Sequence, residues 1–409
     1  FFKQKTAYEM LRSLVGSEMC IRDSFADKAL DALCIIPGNF TLDQVMPLLA
    51  EAMNLPTVLW GLPGLNAWGA LVAVQQTVFP FKELGLPYRF ITAELDDPHV
   101  WERLLPYVRA AALRQRLRKA RLGLMGWRAE GMSDVIFDEI ALRKVFGIQL
   151  VNIGMTRYSR RYQAVPDQDV AALWEQVRAR FDASAVPLAT GSHGARSYLA
   201  MKAIIEEESL QAVTMECFHD HLGEPCLGFA MLNDAGIAAP CENDILAAVV
   251  MLAGQLLSGE PTFHADIVEA DYGTDEALFH HCGNLPPALA MAGAVPVLLP
   301  IRENAGPGAF GPTIRATMKP AAVTAINLVG ARDTLRMAAL EGKTVPYSTD
   351  LPGSCARAAF PFDLAAALEQ LGNAGYGHHF VLATGHVARE LAEWCNLLGI
   401  AYLQPGRSD

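Results

Sequence analysis

Short apolar runs alternate with amphipathic segments along the first part of the chain, and this alternation constrains the fold more than any other feature. The runs ALCIIPG, TVLWG and RFITAEL have the length and composition of buried strands. Helical patterns lie near residues 41–53, 66–80 and 97–119. Because parallel strands need a crossover connection, usually a helix, this order predicts a parallel sheet covered by helices.

A second series of the same kind begins at RLGLMG, and a segment at 154–167 within it shows no clear period. Its predicted strands lie near 121–126, 148–153 and 212–217, and its predicted helices near 134–146, 168–182, 195–208 and 242–257. This alternation predicts a second α/β domain.

After Gly259 the helical period fades, and β-branched runs separated by turns take its place: PTFHADIVEA, VPVLLPI, TIRATM, AAVTAINLVG and TLRMAALEG. These runs predict an antiparallel, barrel-like β domain, which ends in a helix near 363–372, the strand HFVLATG and a helix near 387–397. The predicted fold class is therefore α/β. Two parallel-sheet domains are predicted to cover 25–118 and 119–258, and a β-rich domain covers 259–409.

Residues 1–24, FFKQKTAYEMLRSLVGSEMCIRDS, do not fit the pattern that follows them. The runs KQKTAYE and LVGSEMCIRDS match translated sequencing adapters, so residues 3–24 are expected to be a non-native segment. A genuine amphipathic helix is the alternative interpretation. If the segment is non-native, we expect the first domain to lack its opening strand and helix and its sheet to have an unpaired edge. A signal peptide could then have been lost with the native N-terminus.

The formal net charge of −11 argues against nucleic acid as a partner, because binding a phosphate backbone requires a basic surface. No apolar run reaches the length of a membrane span, so no membrane partner is expected either.

Seven cysteines lie outside the first 24 residues, and no two of them have the spacing C-x-x-C. An odd number of cysteines without such a pair favours free thiols in a reducing cytoplasm over a disulfide framework, and it predicts no structural zinc site. The seven are Cys34, Cys217, Cys226, Cys241, Cys282, Cys355 and Cys395.

Three polar clusters in the second half could carry chemistry. Glu242 of CEND is predicted in the first turn of a helix, where a carboxylate suits the helix dipole, and a simple capping acid is the alternative. Asp266 of FHAD is predicted to leave a strand. His378 and His379 of GHHF lie between a glycine turn and a strand, and His281 of HHCGN lies between the other clusters. Such carboxylates and imidazoles suit Mn²⁺ or Mg²⁺, although a histidine taken alone is more often a satisfied polar residue.

The order of these clusters resembles that of a known family. The run CLGFAMLNDAGIAAPCENDILAAVVMLAGQLLSGEPTFHAD, then HHCGNLP, ATMKPAAVT and GHHFVLATGHV, resembles the L-fucose isomerase-like proteins, which are distantly related to L-arabinose isomerase. RLGLMGWRAEGMSDVIFDEIALRKVFGIQLV resembles the start of the middle domain of that family. The resemblance covers nearly all of residues 25–405, and the pairing of CEND with FHAD is its most specific part. It implies two Rossmann-like α/β domains, the first truncated at its N-terminus, followed by a C-terminal antiparallel β-barrel-like domain.

The resemblance implies a divalent metal, preferably Mn²⁺, between the middle and C-terminal domains. Glu242, Asp266 and His379 match the metal ligands of the family, and the two carboxylates also match its acid–base pair. His281, Asn284 and His378 are candidates for a fourth ligand or a substrate contact. Members are usually homotrimers or homohexamers.

The function implied is a metal-dependent aldose–ketose isomerase that acts on an open-chain, L-fucose- or L-arabinose-like sugar through a cis-enediol. Two alternatives stay open: a metal-dependent epimerase of a keto-sugar with the same ion and carboxylates, and a non-catalytic sugar-binding protein built from the two α/β lobes. A hydride shift is an alternative route for the isomerase. The sugar, and the choice among Mn²⁺, Mg²⁺ and Co²⁺, are open at this stage.

Overall fold

The computed structural model describes residues 30–64, 67–218, 221–301 and 311–406. The segment 1–24 discussed above lies outside them. The chain divides into two compact units, Phe1–Gln115 and Arg116–Asp409. Within the described ranges, no helix is both long enough and apolar enough to cross a membrane.

The first unit contains a three-stranded parallel sheet in the order β1-β2-β3, as the alternation of strands and helices predicted. All five residues of the central strand β2 are buried, whereas β1 pairs only with β2 in the part of the chain described. The strands are β1 (Leu33–Ile35), β2 (Thr57–Gly61) and β3 (Tyr88–Thr92), and the helices are α1 (Val45–Met53), α2 (Ala70–Glu83) and α3 (Val100–Leu117).

The second unit begins with another three-stranded parallel sheet, in the order β5-β4-β6, which confirms the predicted second α/β series. Its strands are β4 (Arg121–Met125), β5 (Gln149–Ile153) and β6 (Ala212–Met215). The helices of this region are α4 (Glu139–Val145), α5 (Met155–Ala164), α6 (Asp167–Arg180), α7 (Leu188–Glu208), α8 (Cys226–Asp234) and α9 (Ile245–Ser258).

Helix α7 begins at Leu188, seven residues or about two turns before the start that its sequence pattern predicts. It contains Gly191 and Gly194, which weaken the helical signal. A Cβ atom at Gly191 would lie 2.2 Å from Trp174, and one at Gly194 would lie 2.6 Å from Pro312. Both glycines therefore permit close packing that the local pattern does not reveal. Helix α5 occupies the segment that showed no period, and α8 was not predicted.

The rest of the second unit is a nine-stranded sheet in the order β15-β12-β11-β14-β7-β8-β13-β10-β9. Its strands are β7 (Phe263–Asp271), β8 (Glu276–His281), β9 (Val297–Pro300), β10 (Pro312–Thr317), β11 (Ala322–Val329), β12 (Arg336–Val345), β13 (Ser354–Ala359), β14 (His379–Thr384) and β15 (Ala401–Leu403). The helices α10 (Leu364–Asn373) and α11 (Ala388–Leu398) and the 3₁₀ turns Ser133–Val135, Pro287–Leu289 and Arg332–Thr334 complete the described elements.

This sheet confirms the β-rich C-terminal region but corrects the prediction that it is antiparallel throughout. The pairings β10–β13 and β12–β15 are parallel. A further antiparallel pairing between β12 and β13 is three residue pairs long, and it bends the sheet back on itself. The result is a large mixed sheet.

The two faces of the β7–β14 pair have different roles. Phe263, Phe380 and Leu382 are buried in the hydrophobic cluster on one face. Because successive side chains of a strand point to opposite faces, the residues next to these in the strands, including His264 and His379, are directed to the other face. The sheet core therefore fixes the position of a strip of polar side chains.

We expect Leu382→Ala to destabilise the protein by about 2–5 kcal/mol, because a fully buried leucine side chain is lost and a cavity remains. The midpoint of urea unfolding, followed by circular dichroism, measures the change. Leu351→Ala is the matched control, because Leu351 is 47% exposed, and its midpoint should stay close to that of the unaltered protein. Equal midpoints for the two variants would contradict the assigned core.

Candidate active site

The CEND segment forms a tight turn immediately before α9. Glu242 and Asn243 have positive φ values of 65° and 54°, which few residues other than glycine adopt. Asp244 is the N-cap of α9, and its Oδ1 accepts a hydrogen bond of 2.8 Å from the backbone N–H of Ala247. The prediction that Glu242 lies in the first helical turn is therefore wrong: Asp244 caps the helix, and Glu242 precedes it.

This turn is tied to the carboxyl ends of the parallel strands. The Asn243 side chain donates a hydrogen bond of 2.9 Å to the backbone oxygen of Met125 and a second one to that of Trp127. The backbone N–H of Glu242 contacts Cys217 Sγ at 3.3 Å. Open α/β sheets bind ligands at the carboxyl ends of their strands, so these contacts place Glu242 where a ligand would be expected.

Asp266 and His379 lie directly opposite each other on the antiparallel strands β7 and β14. Residues paired in this way have Cβ atoms about 4.5–5.5 Å apart on one face of the sheet. Asp266 lies inside β7, so the prediction that it leaves a strand is wrong. Its position in a regular strand fixes its side chain more firmly than a loop would.

His379 connects the three acidic residues. Its Nε2 lies 3.0 Å from Glu242 Oε2 and 3.7 Å from Asp266 Oδ1, while its Nδ1 lies 2.8 Å from Asp244 Oδ2. The His379 side chain is 6% exposed. The structure therefore places the carboxylates of Glu242 and Asp266 near the same nitrogen of His379, as expected for the three metal ligands predicted from the sequence, and Asp244 binds the other ring nitrogen.

A cation fits this arrangement. Asp266 Oδ1 is buried and accepts no hydrogen bond from the described residues, although it lies near His379 Nε2. A buried carboxylate oxygen without a donor is costly, and a bound cation would remove that cost. Asp244 on Nδ1 leaves Nε2 as the coordinating nitrogen, which is the usual carboxylate–histidine–metal arrangement.

Three further histidines surround His379. The ring centroid of His264 lies 4.3 Å from that of His379 and 4.9 Å from that of His281. Two combinations here have ligand atoms close enough to hold one ion, namely His264, His281 and His379, or Glu242, His378 and His379. His378 is tied to Asp134, whose Oδ2 lies 2.6 Å from its Nδ1.

The candidates for a fourth ligand occupy different positions. His281 is buried beside His264, and His378 is exposed at the edge of the cluster. Asn284 is fully buried, and its side-chain nitrogen lies 3.5 Å from His264 Nδ1. The Asn284 side chain also contacts Cys241 Sγ at 3.5 Å. His281 interacts with the charges of Glu242 and Asp266, and His378 has a ligand atom close to those of Glu242 and His379, so these two histidines fit the predicted role better than Asn284.

Burial and opposite charges compete at each ionisable group. Burial opposes a charge on His379, but its hydrogen bonds to Asp244 and Glu242 raise its pKa well above the ordinary value. Burial likewise opposes the Glu242 carboxylate, yet the hydrogen bond to His379 holds the pKa of Glu242 below its usual range. His264 differs, because burial and the neighbouring histidines lower its pKa well below the ordinary value.

The pKa of His281 is raised as well. Burial opposes its charged form, but the Cys282 sulfur, as a thiolate, and the carboxylates of Glu242 and Asp266 raise this pKa to about 9. Without a metal ion, the cluster therefore holds its negative charge with protonated imidazoles.

Sequence reasoning missed Asp244, His264 and Asp134. Asp244 lies in the motif CEND and His264 in FHAD. The signal for Asp244 was an aspartate directly before an apolar run, which is typical of a helix N-cap. Asp134 reaches His378 across 244 positions of sequence, and no local pattern indicates that contact.

A cleft of about 530 Å³ opens beside the loops that follow β5 and β6, and Tyr158, Tyr162, His221 and Glu224 line it. Glu224 Oε1 accepts a hydrogen bond of 2.6 Å from the Tyr158 hydroxyl, and Oε2 lies 2.8 Å from His221 Nδ1. The volume suits a small ligand.

Comparison with known proteins gives relatives along most of the chain, although no family model matches it. It is 22% identical over 394 residues to a sulfoquinovose isomerase of Priestia aryabhattai, which covers 92% of this chain and 86% of that protein. A sulfoquinovose isomerase of Clostridium sp. (strain MSTE9) is 23% identical over 393 residues, or 92% and 87% of the two chains. An L-arabinose isomerase of Nocardioides sp. is 24% identical over 333 residues, or 77% and 66%.

These similarities are consistent with the resemblance to the fucose and arabinose isomerases. They confirm the prediction of an aldose–ketose isomerase, which is an intramolecular oxidoreductase.

In metal-free protein, we expect Glu242→Gln and Asp244→Asn each to lower the pKa of His379, because each removes a negative partner of the imidazolium. Histidine-labelled protein titrated by NMR measures the change. Because the pKa of His379 is higher in the folded than in the unfolded protein, protonation of His379 stabilises the fold fully below the ordinary pKa of about 6.5. This stabilisation is lost as the pH rises through the pKa of His379 in the folded protein. Asp363→Asn, which alters a similar helix cap on α10, is the control. An unchanged titration in both test variants would refute the coupling.

Proposed function

We propose that this chain is a metal-dependent aldose–ketose isomerase of the L-fucose isomerase-like type, which acts on an open-chain sugar through a cis-enediol. The observation that carries the proposal is the convergence of the Glu242 and Asp266 carboxylates on Nε2 of His379. The curated isomerases to which the chain is similar support the same reaction class.

Glu242, Asp266 and His379 are the residues we propose to hold the ion, with His281 as the fourth ligand or a substrate contact. Oxygen and imidazole ligands of this kind suit Mn²⁺. When bound, such an ion polarises the two sugar oxygens and stabilises negative charge that develops between C1 and C2. Asp244 keeps the Nδ1 proton on His379, so that Nε2 is available as a ligand.

The chain itself supplies the groups that move protons. The lowered pKa of Glu242 keeps it a carboxylate near neutral pH, as a base must be when it removes a proton from carbon. Asp266 is the second carboxylate near Nε2 of His379. The Asp266 side chain is 33% exposed, compared with 13% for the Glu242 side chain. We assign Glu242 and Asp266 as the acid–base pair, with Asp266 as the more accessible group for the hydroxyl proton.

The cleft beside Tyr158 and Glu224 is our proposed location for the part of the sugar remote from C1 and C2. The buried Tyr158 and Glu224 and the partly exposed His221 are suitable partners for sugar hydroxyls. The names of the relatives give sulfoquinovose and L-arabinose as the first substrates to test beside L-fucose. We also propose a homotrimer or homohexamer in the cytoplasm, and the seven described cysteines, all free thiols, support a reducing compartment.

We also propose that the domains of this enzyme end at residues 118 and 258, as the sequence predicts. The proposed metal site draws on both sides of the second boundary, since Glu242 precedes it and Asp266 and His379 follow it.

The reaction is tested with aldoses and ketoses in D₂O, with Mn²⁺ and with or without a chelator, and the products are read by NMR. We expect chelator-sensitive interconversion with deuterium at C1 or C2, because the proton exchanges with solvent at the enediol. A product inverted at one carbon, without aldose–ketose exchange, would instead identify the epimerase. No turnover of any sugar and no retained metal would overturn the proposal.

Variants of the acid–base pair refine this assay. Glu242→Gln keeps the size of the side chain but removes the base, and we expect a loss of about 10²–10⁴-fold in kcat. Glu269→Gln on the same sheet is the control, because Glu269 pairs with Arg357 and should leave kcat unchanged.

We expect Asp244→Ala to weaken Mn²⁺ binding by about 10–100-fold, because the partner that orients His379 is lost. Both Asp244→Ala and the matched variant Asp363→Ala remove a helix cap, at a cost of about 1 kcal/mol each. Only the first should change affinity, as measured by the EPR signal of free Mn²⁺. Equal affinities in the two variants would show that Asp244 acts as a cap alone.

A further inference from the structure

Four of the seven described cysteines meet in the second unit, although they come from four separate places in the chain. Cys217 follows β6, Cys226 begins α8, Cys241 precedes Glu242, and Cys282 follows β8. The proposed isomerase reaction uses none of them. Their clustering beside His281 therefore needs a separate explanation.

The contacts centre on Cys282. Its Sγ lies 3.9 Å from Cys226 Sγ and 3.3 Å from His281 Nδ1. The ligand atoms of Cys241, His281 and Cys282 all lie within 4.8 Å of one another. The buried Cys217 contacts the Cys241 thiol, and its Sγ lies 3.3 Å from the backbone nitrogen of Glu242.

These separations match those of a soft-metal site. A tetrahedral zinc ion with Zn–S bonds of about 2.3 Å has its sulfur atoms about 3.8 Å apart. The distance of 3.9 Å between Cys226 and Cys282 agrees with this value. Imidazole nitrogen is the other common zinc ligand, and His281 presents Nδ1 on the same side.

Simple packing accounts less well for this cluster. Isolated buried cysteines behave as small apolar side chains, as Cys395 does where its thiol contacts Met337 Sδ at 3.6 Å. The cluster instead lies beside polar side chains, since Asn284 Nδ2 lies 3.5 Å from Cys241 Sγ.

We propose that Cys241, Cys282 and His281 Nδ1, with Cys226 as the thiol next to Cys282, form a second cation site, selective for soft, thiol-binding ions of the Zn²⁺, Cd²⁺ and Cu⁺ type. Each coordinating thiol gives up its proton to solvent on binding, and no electron transfer is involved. The site is distinct from the carboxylate-rich position at Glu242 and Asp266, which suits harder ions.

The two positions share one side chain. A soft ion on Nδ1 of His281 would fix the orientation of this ring, and a role for His281 in the sugar site, which rests on the proposed function, would then depend on that ion. Binding to the thiols itself does not require the isomerase proposal to be correct.

The test is titration of the full, metal-free, reduced chain with Cd²⁺ in the presence of excess Mn²⁺. We expect thiolate-to-cadmium charge-transfer absorption that saturates at about one ion per chain. The ¹¹³Cd NMR signal of the unaltered protein should lie in the region of sulfur-rich sites, and this measurement needs no variant. A signal typical of oxygen and nitrogen ligands alone, or no charge-transfer band, would overturn the proposal.

Variants locate the ion. Cys282→Ser should abolish the charge-transfer band, and Cys226→Ser should reduce it, whereas the buried control Cys355→Ala and the exposed control Cys34→Ser should retain it. An unchanged band in folded Cys282→Ser would refute the site. Failure of the isomerase proposal would leave the cadmium result intact, since Mn²⁺ binding and turnover are read separately.

Discussion

The hydrogen bond between Asp244 and His379 is the interaction on which the rest of the site depends. One carboxylate oxygen of Asp244 caps α9, and the other holds Nδ1 of His379 at the start of β14. The start of a buried helix and the start of a sheet strand are thereby joined through one side chain. Glu242 lies in the same turn, two residues before the cap, and its Oε2 lies 3.0 Å from Nε2 of the His379 ring. The geometry is therefore set by regular elements and not by a free loop.

The sequence predicts the layout of elements well because period and turn chemistry are local. It fails where a tertiary contact decides the conformation. CEND reads as a helix start, but the left-handed conformations of Glu242 and Asn243 depend on hydrogen bonds from Asn243 to β4. The strands Glu276–His281 and Ser354–Ala359 were missed because EALFHH and SCARAA are short and alternate weakly, and their pairing with each other supplies the missing order.

The electrostatics of the site explain why protons and a cation would compete there. Hydrogen bonds to Asp244 and Glu242 raise the pKa of His379, so without a metal ion the protonated ring is favoured as the positive charge between these carboxylates. A divalent ion bound to Nε2 has to displace that proton, while the hydrogen bond on Nδ1 is kept. Metal affinity at this site is therefore expected to fall as pH falls, because the proton and the ion compete for the same nitrogen.

His281 has two kinds of possible metal ligand as neighbours, namely the carboxylates of Glu242 and Asp266 and the sulfur of Cys282. Carboxylates on one side raise its pKa together with the thiol of Cys282, whose Sγ lies 3.3 Å from Nδ1. Hard oxygen ligands and soft sulfur ligands prefer different cations, so the two groups need not compete for one ion. No spacing rule could show this, because 56 residues separate Cys226 from Cys282, whereas their sulfur atoms are 3.9 Å apart. If a soft metal ion binds the thiols next to His281, it fixes the orientation of the His281 ring. The proposed active site would then respond to soft metals through this one side chain.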